Sequence, residues 1–364
     1  MSDKTFFVTG GAGFIGSRLC ALLAQEGTVV AFDNLHPQVH AGNPDNVNRL
    51  GASGVRLIVG DVRDPEALRS AIAEVSPDVV YHLAAETGTG QSFDLVARYN
   101  DVNIMGTAHL IEAIRAEGPK VRRVVLAGSR SVYGEGACVN AAGQPTAAVA
   151  RTDEDMRRGD FAPKDRFGTP LTPVPTDASC VVAPASVYAS TKYMQELLLE
   201  QAFWGTEVGV GILRLQNVYG PGQSLNNPYT GVLSIFTRQI AEGKTLNIYE
   251  DGEITRDFVL VSDVAEAFRR IGTIDTLPGQ IVDIGSGEPA TILAVAQQLL
   301  RLMGAEPQRT NITGAFRPGD IRYAVADISA AREKLGWQPA VSLAEGLAQL
   351  VEWSKTTLAK EATA

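Results

Sequence analysis

Thr9-Gly-Gly-Ala-Gly-Phe-Ile-Gly16 follows the apolar run Thr5-Phe-Phe-Val8 and precedes an amphipathic stretch over residues 14–26. A glycine-rich turn between a strand and a helix is the context in which such a turn binds a dinucleotide. The first glycine allows a tight turn, the second lets the backbone approach a pyrophosphate, and the third permits close helix–strand packing. The helix N-terminus supplies N–H donors and a positive dipole end. The residues of this stretch expected at a cofactor are Gly10, Gly13, Phe14, Ile15 and Gly16.

The rhythm of the chain up to residue 213 predicts the fold class. Apolar, β-branched runs suited to strands lie at 6–9, 29–32, 55–59, 79–82, 124–127 and 208–213. Amphipathic helical stretches lie between them at 14–26, 65–75, 95–117 and 187–203. This alternation predicts right-handed βαβ crossovers and a Rossmann-type α/β fold with a doubly wound parallel sheet.

A second, smaller unit is expected after residue 217, where Gly220-Pro-Gly222 and Pro228 interrupt the chain. Helical stretches dominate from there, at 231–242, 262–271, 291–303, 329–335 and 343–353. We expect a dinucleotide-binding domain over residues 1–217 and a C-terminal α+β substrate-binding domain over 218–357. The boundary is expected to be discontinuous, with residues 258–285 packing back on the first domain.

An insert over residues 135–183 breaks the alternation, since it is rich in Ala, Pro, Gly and mixed charge and has no sustained periodicity. Loops of this length inside a compact domain are uncommon and are usually functional lids or disordered. A peripheral excursion without a role in function is the open alternative. The insert lies between Ser129 and Tyr188, so its ends are expected near those residues.

The composition limits the partners. A net charge of −9 argues against nucleic acid or an anionic membrane surface. The three cysteines form neither a disulfide framework nor a zinc spacing, and no metal site is expected. No apolar run reaches the length of a membrane span, and the first residues leave no room for a signal peptide. The cytoplasm is therefore the expected location.

Asp33 ends the second predicted strand, 17 residues after Gly16. A carboxylate there accepts hydrogen bonds from the adenosine ribose and repels a 2′-phosphate, which favours NAD over NADP. An exposed turn aspartate before Asn34 is the alternative. Asp61, which precedes Val62 after the third strand, is placed to reach the adenine amino group, although a helix-capping turn residue has the same signature.

Tyr188 precedes Lys192 by four residues, which places both side chains on one face of a helix. An ammonium near a phenol is expected to lower the pKa of the phenol. A phenolate beside a nicotinamide can take the proton of an alcohol while the hydride leaves.

The motifs together resemble the extended short-chain dehydrogenase/reductase superfamily, in particular its nucleotide-sugar epimerases and dehydratases. The resemblance covers almost the whole chain and rests on several motifs in one order. Beside the glycine turn and Tyr188-x-x-x-Lys192, these are His82-Leu-Ala-Ala85, Asn103, Ser129-Arg-Ser-Val-Tyr-Gly134, Arg214-Leu-Gln-Asn-Val-Tyr-Gly-Pro-Gly222, Arg256-Asp-Phe and Arg317-Pro-Gly-Asp320.

The resemblance implies roles for individual residues. Ser129 would hydrogen-bond the reacting sugar oxygen, Tyr188 would be the base, and Lys192 would hold the nicotinamide ribose. Further cofactor contacts are implied for Asn34, Asp61, Val62, Leu83, Ala84, Ala85, Thr87 and Asn103. Substrate contacts are implied for Thr87, Ser129, Arg130, Ser131, Tyr188, Asn217, Arg256 and Arg317. The alternatives are a strand-end cap for Ser129, a turn role for Asn217 and surface ion pairs for Arg256 and Arg317.

The residues beside Ser129 discriminate among the reactions of these relatives. Dehydratases and decarboxylases of similar sequence carry an acidic residue at the positions that Arg130 and Ser131 occupy here. C4 epimerisation is therefore the expected reaction: Tyr188 takes the 4′-hydroxyl proton as hydride passes to NAD⁺, and hydride later returns to the other face of the 4-keto sugar.

The segment Ala85-Glu-Thr-Gly-Thr-Gly-Gln-Ser92 and the insert most resemble bacterial dTDP-L-rhamnose 4-epimerases. UDP-hexose or UDP-hexuronate 4-epimerases are the main rivals. Other NAD-dependent dehydrogenases or dehydratases of the superfamily stay open, as does a catalytically silent NAD-binding regulator. The resemblance also implies a homodimer, in which residues 95–117 and 187–203 pair as a four-helix bundle.

Overall fold

The computed structural model describes residues 4–40, 44–227, 231–274, 280–317 and 319–363 of the chain. Its strands are β1 Lys4–Thr9, β2 Gly27–Asp33, β3 Arg56–Val59, β4 Val79–His82, β5 Arg123–Ser129, β6 Cys138–Val139, β7 Thr172–Pro173, β8 Gly209–Leu215, β9 Asn217–Tyr219, β10 Leu246–Ile248, β11 Thr255–Arg256, β12 Phe258–Leu260, β13 Gln280–Ile284, β14 Ala290–Thr291, β15 Thr310–Ile312 and β16 Tyr323–Ala324. Its α-helices are α1 Gly16–Leu23, α2 Pro37–His40, α3 Asp45–Ala52, α4 Pro65–Val75, α5 Thr89–Asp94, α6 Val96–Tyr99, α7 Gly106–Glu117, α8 Asp153–Arg157, α9 Val187–Ala202, α10 Val232–Ala241, α11 Val261–Thr273, α12 Ile292–Leu302, α13 Ser329–Leu335 and α14 Leu343–Thr363.

Seven parallel strands form the central sheet in the order β13-β8-β5-β4-β1-β2-β3. Helices cover both faces. α1 and α11 bury Leu19 and Phe268 on one face, and α4, α7 and α9 bury apolar side chains such as Leu110 and Leu199 on the other. The carboxyl ends of the strands therefore meet at one edge, where ligands bind in doubly wound sheets. The predicted Rossmann-type α/β fold is confirmed.

Strand β13 was not among the predicted strands, although residues 258–285 were expected to pack on the first domain. Its sequence Gln-Ile-Val-Asp-Ile interrupts the apolar pattern with Asp283. The structure accommodates this carboxylate by a hydrogen bond from Tyr133, whose hydroxyl lies 2.9 Å from both carboxylate oxygens. β13 extends the sheet beyond β8 in parallel register, with Ile281 opposite Ile212.

The predicted single helix over 95–117 is wrong in its middle. A π-helical turn, Asn100–Met105, separates α6 from α7. Its Asn103 side chain leaves the helix to bond Glu86 and Thr191, and such wider turns are frequent at functional sites.

The C-terminal part is a smaller α+β unit, built on short strand pairs and on the helices α10, α12 and α14. Its own core includes Phe236, Phe258, Leu299 and Leu347. The predicted boundary at residue 217 stays a proposal. Pro228, one of the expected interruptions, lies outside the described residues.

The insert is ordered and folded against its neighbours. β6 pairs with β7 in antiparallel register, α8 is capped by Thr152, and Met156, Phe161 and Leu171 are buried. A bridge joins Thr176 to Ala326, and Arg151 extends from the insert into the C-terminal unit. Within the described ranges, no helix is both long and apolar enough to cross a membrane.

Candidate active site

The glycine turn lies at the carboxyl end of β1. Gly10 has a φ of +69°, and a Cβ there would lie 2.7 Å from the backbone nitrogen of Ala84. At Gly13 a Cβ would meet only the Gly10 carbonyl oxygen, at 3.1 Å, so the surrounding protein leaves this backbone approachable from outside. No side chain caps the following helix α1, which Phe14 and Ile15 directly precede. These features fit a pyrophosphate-binding turn.

Asp33 is buried at the end of β2, where its carboxylate accepts one hydrogen bond from the backbone of the glycine turn and one from the backbone that follows β2. Oδ2 lies 3.0 Å from the nitrogen of Ala12, and Oδ1 lies 2.9 Å from that of Leu35. The carboxylate thus fixes the glycine turn and places negative charge beside it. This arrangement fits the predicted preference for NAD over NADP.

Both carboxylate oxygens of Asp61 accept hydrogen bonds from neighbouring side chains. Arg63 donates to both of its oxygens, at 3.0 and 2.8 Å, and Asn34 donates at 3.0 Å. These bonds, with that from Arg63 the strongest, hold the pKa of the Asp61 carboxyl well below its usual range. Val62 is buried and packs against Gly106 at the start of α7.

The segment after β4 is tied to β1 and to the π-helical turn. The nitrogens of Leu83 and Ala84 donate to Thr9, at 3.1 and 3.3 Å. Asn103 accepts from the Glu86 nitrogen at 2.8 Å and donates to Thr191 on α9 at 2.9 Å. Asn103 therefore holds the segment that includes Ala85 and Thr87 against the helix of Tyr188.

Tyr188 lies in the first turn of α9, which Ser186 caps. Its ring packs edge-on against Tyr99, with centroids 6.3 Å apart. Burial raises the pKa of Tyr188, and the hydrogen bond of the Ser129 side chain acts in the opposite direction. Burial is the larger of these two contributions, and the expected lowering of this pKa by Lys192 stays a prediction.

Ser129 ends β5 and begins a short 3₁₀ turn, Arg130–Tyr133. Its Oγ accepts from the Ser131 nitrogen at 3.2 Å and lies 2.8 Å from the Ser131 hydroxyl. Ser129 is thus a strand-end cap, as in the alternative, and at the same time a neighbour of Tyr188. The two roles coexist.

Lys192 is buried one helical turn beyond Tyr188, and its Nζ donates to Oε1 of Gln195 at 2.6 Å. Burial lowers the pKa of Lys192 to about 8. The Gln195 Nε2 donates to Thr107 at 2.8 Å and lies 3.3 Å from His82. A buried polar chain therefore runs from Lys192 toward the end of β1.

His82 completes this chain, because its Nδ1 lies 2.7 Å from the Thr9 hydroxyl and its Nε2 lies 2.9 Å from that of Thr107. Burial, with the charge of Lys192, lowers the pKa of His82 to about 3, so the imidazole stays neutral. Sequence reasoning gave Gln195 no role. The sequence feature that could have indicated this contact is the three-residue spacing between Lys192 and Gln195, which places both side chains on one face of a helix.

The residues expected at the substrate are distributed around the same edge. Arg130 is buried, donates to the Gly134 carbonyl at 3.0 Å and keeps a buried Nε without a partner among the described residues. Burial, followed by the charge of Arg256, lowers the pKa of Arg130 to about 10. The structure therefore brings Arg130 and Arg256 together, whereas Asn217 takes part in the pairing of β9 with β12.

Arg256 and Arg317 lie on neighbouring segments of the C-terminal unit. Arg256 donates to Asp320 Oδ1 at 2.6 Å and to the Ile321 carbonyl at 2.7 Å. Arg317 donates to the Tyr249 hydroxyl at 3.2 Å and lies over its ring, 4.6 Å from the centroid. Arg256 thus forms an ion pair, as the alternative interpretation expected. Its side chain is, however, largely buried and not at the surface.

Arg18 is a further residue that sequence reasoning missed. It lies on α1 directly after the glycine turn, donates to the Phe14 carbonyl at 3.1 Å and also contacts the carbonyl of Pro221. It therefore joins the dinucleotide turn to the Gly220-Pro-Gly222 segment of the other unit. Across the described residues, no cluster of three or more His, Cys, Asp or Glu side chains could hold a metal ion.

The fold and this arrangement of Ser129, Tyr188 and Lys192 define a dinucleotide-dependent enzyme of the Rossmann class. The chain belongs to the NAD dependent epimerase/dehydratase family, whose model matches residues 6–285. It is 41% identical over 359 residues to dTDP-L-rhamnose 4-epimerase of Burkholderia thailandensis, covering 97% of this chain and 95% of that protein. It is 34% identical to UDP-glucose 4-epimerase of Mycolicibacterium smegmatis, covering 95% and 97% of the two chains.

Solved structures agree with this assignment. A UDP-N-acetylglucosamine 4-epimerase from Methanobrevibacter ruminantium, in complex with UDP-N-acetylmuramic acid, superposes with a TM-score of 0.78 at 28% identity and covers 98% of this chain and 99% of its own. A UDP-glucuronic acid 4-epimerase from Bacillus cereus, in complex with UDP-glucuronic acid and NAD, gives 0.77 at 28% identity, with coverages of 97% and 99%. The predicted superfamily, the NAD dependence and the class of nucleotide-sugar 4-epimerase are confirmed.

Proposed function

We propose that this chain is a dTDP-L-rhamnose 4-epimerase, which interconverts this sugar nucleotide and its C4 epimer. The observation that carries the reaction type is the pair Arg130 and Ser131 beside Ser129, where a dehydratase needs a carboxyl group to expel water. The dTDP-L-rhamnose assignment is supported by the relative that is 41% identical over nearly the whole chain.

The roles of the site residues are part of this proposal. The turn from Gly10 to Gly16 and Asp33 bind the dinucleotide. NAD⁺, when bound, supplies the acceptor and then the donor of hydride at C4′ of the sugar. Tyr188 accepts the 4′-hydroxyl proton and later returns it, and Ser129 holds the same oxygen by a hydrogen bond. Lys192 orients the nicotinamide ribose.

The substrate is anchored away from the reacting carbon. Arg256 and Arg317 bind the diphosphate, since a guanidinium donates two hydrogen bonds at once to phosphate oxygens. Asn217, at the start of β9, contributes a further polar contact. Anchoring by the diphosphate leaves the sugar free to turn over between the two hydride transfers.

The experiment that tests this function incubates the protein with dTDP-L-rhamnose, UDP-glucose and UDP-glucuronate, and follows C4 inversion by NMR. We expect inversion of dTDP-L-rhamnose at a rate at least tenfold above that of either UDP sugar. Tyr188→Phe, as the control, should bind NAD and leave every sugar unchanged. Inversion of a UDP sugar alone would reassign the substrate, and NAD reduction by a simple alcohol with no inversion would overturn the epimerase.

The homodimer and the cytoplasmic location are proposals as well. Support for the dimer comes from apolar side chains exposed on the predicted bundle helices, namely Val96, Met105 and Met194. Light scattering coupled to size-exclusion chromatography tests it. A mass of one chain at micromolar concentration would exclude the dimer.

A further inference from the structure

The insert sends one arginine side chain into the C-terminal unit. Only 3% of the Arg151 side chain is exposed, and each of the three guanidinium nitrogens donates a hydrogen bond. Nε donates to Glu135 Oε1 at 2.9 Å, Nη1 to Glu250 Oε1 at 2.8 Å, and Nη2 to the Asp320 carbonyl at 2.8 Å. Arg151 therefore joins three segments that are distant in sequence.

Glu250 is the most constrained of its partners. Its side chain is fully buried, and its backbone has a φ of +52°, in the left-handed region that residues with a Cβ rarely adopt. One carboxylate oxygen accepts from Arg151, and the other accepts from Arg322 at 2.9 Å. A backbone held in this way persists only where the surroundings over-determine it. The two arginines fix the side chain, and hydrogen bonds with Ala315 and Gly314 fix the backbone.

Glu135 closes the cluster from the other side. Its Oε2 accepts from the backbone nitrogen of Arg322 at 2.9 Å, while its Oε1 accepts from Arg151. The chain between Asp320 and Arg322 is thereby held from two directions. This chain directly follows the segment that begins with Arg317.

Arg256 and Arg317 are the two arginines proposed to bind the diphosphate. Each of them contacts a residue that either bonds Arg151 itself or is next in sequence to a residue that does. The carbonyl of Asp320 accepts a hydrogen bond from Arg151, and its carboxylate accepts one from Arg256. Tyr249, the neighbour of Glu250, contacts Arg317 through its hydroxyl and its ring. A displacement of Arg151 would therefore move the partners of both arginines together.

The burial of this cluster fixes its geometry. The cost of removing charges from water offsets most of the attraction in a buried ion pair, but loss of one partner leaves the other charge buried and unpaired, so variants of Arg151 need a check of folding. The ion pairs of α8 are different, because Arg157 and Asp153 are largely exposed. Arg157 is therefore a matched control from the same insert.

We propose that Arg151 is a positioning residue, through which the insert sets the affinity of the site for the diphosphate of the nucleotide sugar. This proposal rests on the function proposed above. Arg151 itself is assigned no contact with the substrate. It holds Asp320 and Glu250 in place. These two residues in turn keep the side chains of Arg256 and Arg317 in positions from which they can bind a diphosphate.

The test compares Arg151→Met, Arg151→Lys and Arg157→Met in the full chain. The readouts are the Kd of dTDP and of UDP by calorimetry, the Kd of NAD, and KM and kcat for inversion. In Arg151→Met we expect the Kd of the favoured nucleotide and the KM to rise about tenfold, while kcat changes less than about threefold, since ground-state binding is lost. Arg151→Lys should recover part of the loss, and Arg157→Met should equal the wild type.

The outcomes are separable. A wild-type protein that neither binds dTDP or UDP nor inverts a nucleotide sugar would contradict the proposed function itself. A wild type that does both, with an Arg151→Met variant that binds NAD normally and keeps its nucleotide Kd, would overturn the role of Arg151 alone. If Arg151→Met does not fold, Arg151→Lys carries the same comparison, because a lysine keeps the charge but cannot reach all three acceptors.

Discussion

The ammonium of Lys192 lies 2.6 Å from Oε1 of Gln195, one turn further along the same helix. Gln195 in turn contacts Thr107 and His82, so the lysine is the end of a buried polar chain. Because Lys192 has a pKa lowered to about 8, its charge near neutral pH depends on what surrounds it. Burial lowers this pKa and the charge of Glu196 raises it, and the hydrogen bond to Gln195 is expected to contribute as well.

Substitutions of Gln195 should shift the pH at which Lys192 loses its proton. Gln195→Leu removes the acceptor and lowers the pKa of the lysine further, so activity should decline at a lower pH than in the wild type. Gln195→Glu adds a negative charge, raises that pKa and moves the decline to higher pH. The measurement is kcat for inversion from about pH 6 to about pH 10. Equal profiles in both variants would show that Gln195 has no such influence.

Asp33 should control the choice between NAD and NADP. In Asp33→Asn one of the two backbone donors loses its acceptor and the negative charge disappears, so NAD should bind about tenfold more weakly. NADP should lose less, because its 2′-phosphate no longer meets a carboxylate. The ratio of the two Kd values is the quantity to measure. Glu74→Gln, at an exposed ion pair with Arg56, is the control and should keep the wild-type ratio.

Arg256 should affect nucleotide-sugar binding and leave cofactor binding intact. Arg256→Ala removes the paired donors proposed for the diphosphate, so KM should rise about tenfold to a hundredfold. The Kd of NAD should change little. Arg332→Ala, at an exposed position on α13, is the matched control. A KM within twofold of the wild type would leave Arg256 as a structural ion pair with Asp320.

Asp283 should make the stability of the protein depend on pH. Burial raises the pKa of Asp283 to about 7, above that of an unfolded aspartate. The folded state then binds the additional proton between about pH 4 and about pH 7, so the free energy of unfolding falls as the pH rises through this window. At most, the loss is roughly 4 kcal/mol, from about 1.4 kcal/mol for each pKa unit.

The variant Asp283→Asn tests this. An amide still accepts from the Tyr133 hydroxyl but does not titrate, so the variant should lose less stability than the wild type between about pH 5 and about pH 8. Urea unfolding at both pH values measures the difference. Asp94→Asn, at an exposed carboxyl, should behave as the wild type. The same loss in Asp283→Asn as in the wild type would exclude Asp283 as the source.

The parts of the fold that sequence reasoning found were those with local signals. The bounds predicted for Val79–His82 and Pro65–Val75 agree with the structure, because a strand that begins Val-Val-Tyr and a helix with proline in its first turn carry strong local signals. The π-helical turn was not predicted, because its cause is not local. Asn103 departs from α-helical geometry in order to bond Glu86 and Thr191, which lie in two other segments. β13 was missed for a similar reason, because its Asp283 is acceptable only opposite Tyr133.

The site divided in the same way. Gly10, Asp33, Tyr188 and Lys192 follow from spacing and from the ends of strands, and Ser129 follows from the family resemblance. Arg151 does not, because its contacts with Glu250 and Asp320 join residues separated by 99 and 169 positions. No periodicity in the insert distinguishes this arginine from Arg157 or Arg158. Its burial is a property of the folded chain and not of its local sequence.

The position of β13 at the edge of the large sheet has a consequence for the synthesis of this protein. The ribosome completes β8 long before it reaches Gln280, so the apolar edge of β8 has no neighbour while the following 64 residues are made. An unpaired apolar edge is a template for association with another chain. A truncated protein that ends near residue 217 should therefore aggregate on expression, because the edge of β8 has no partner strand in it.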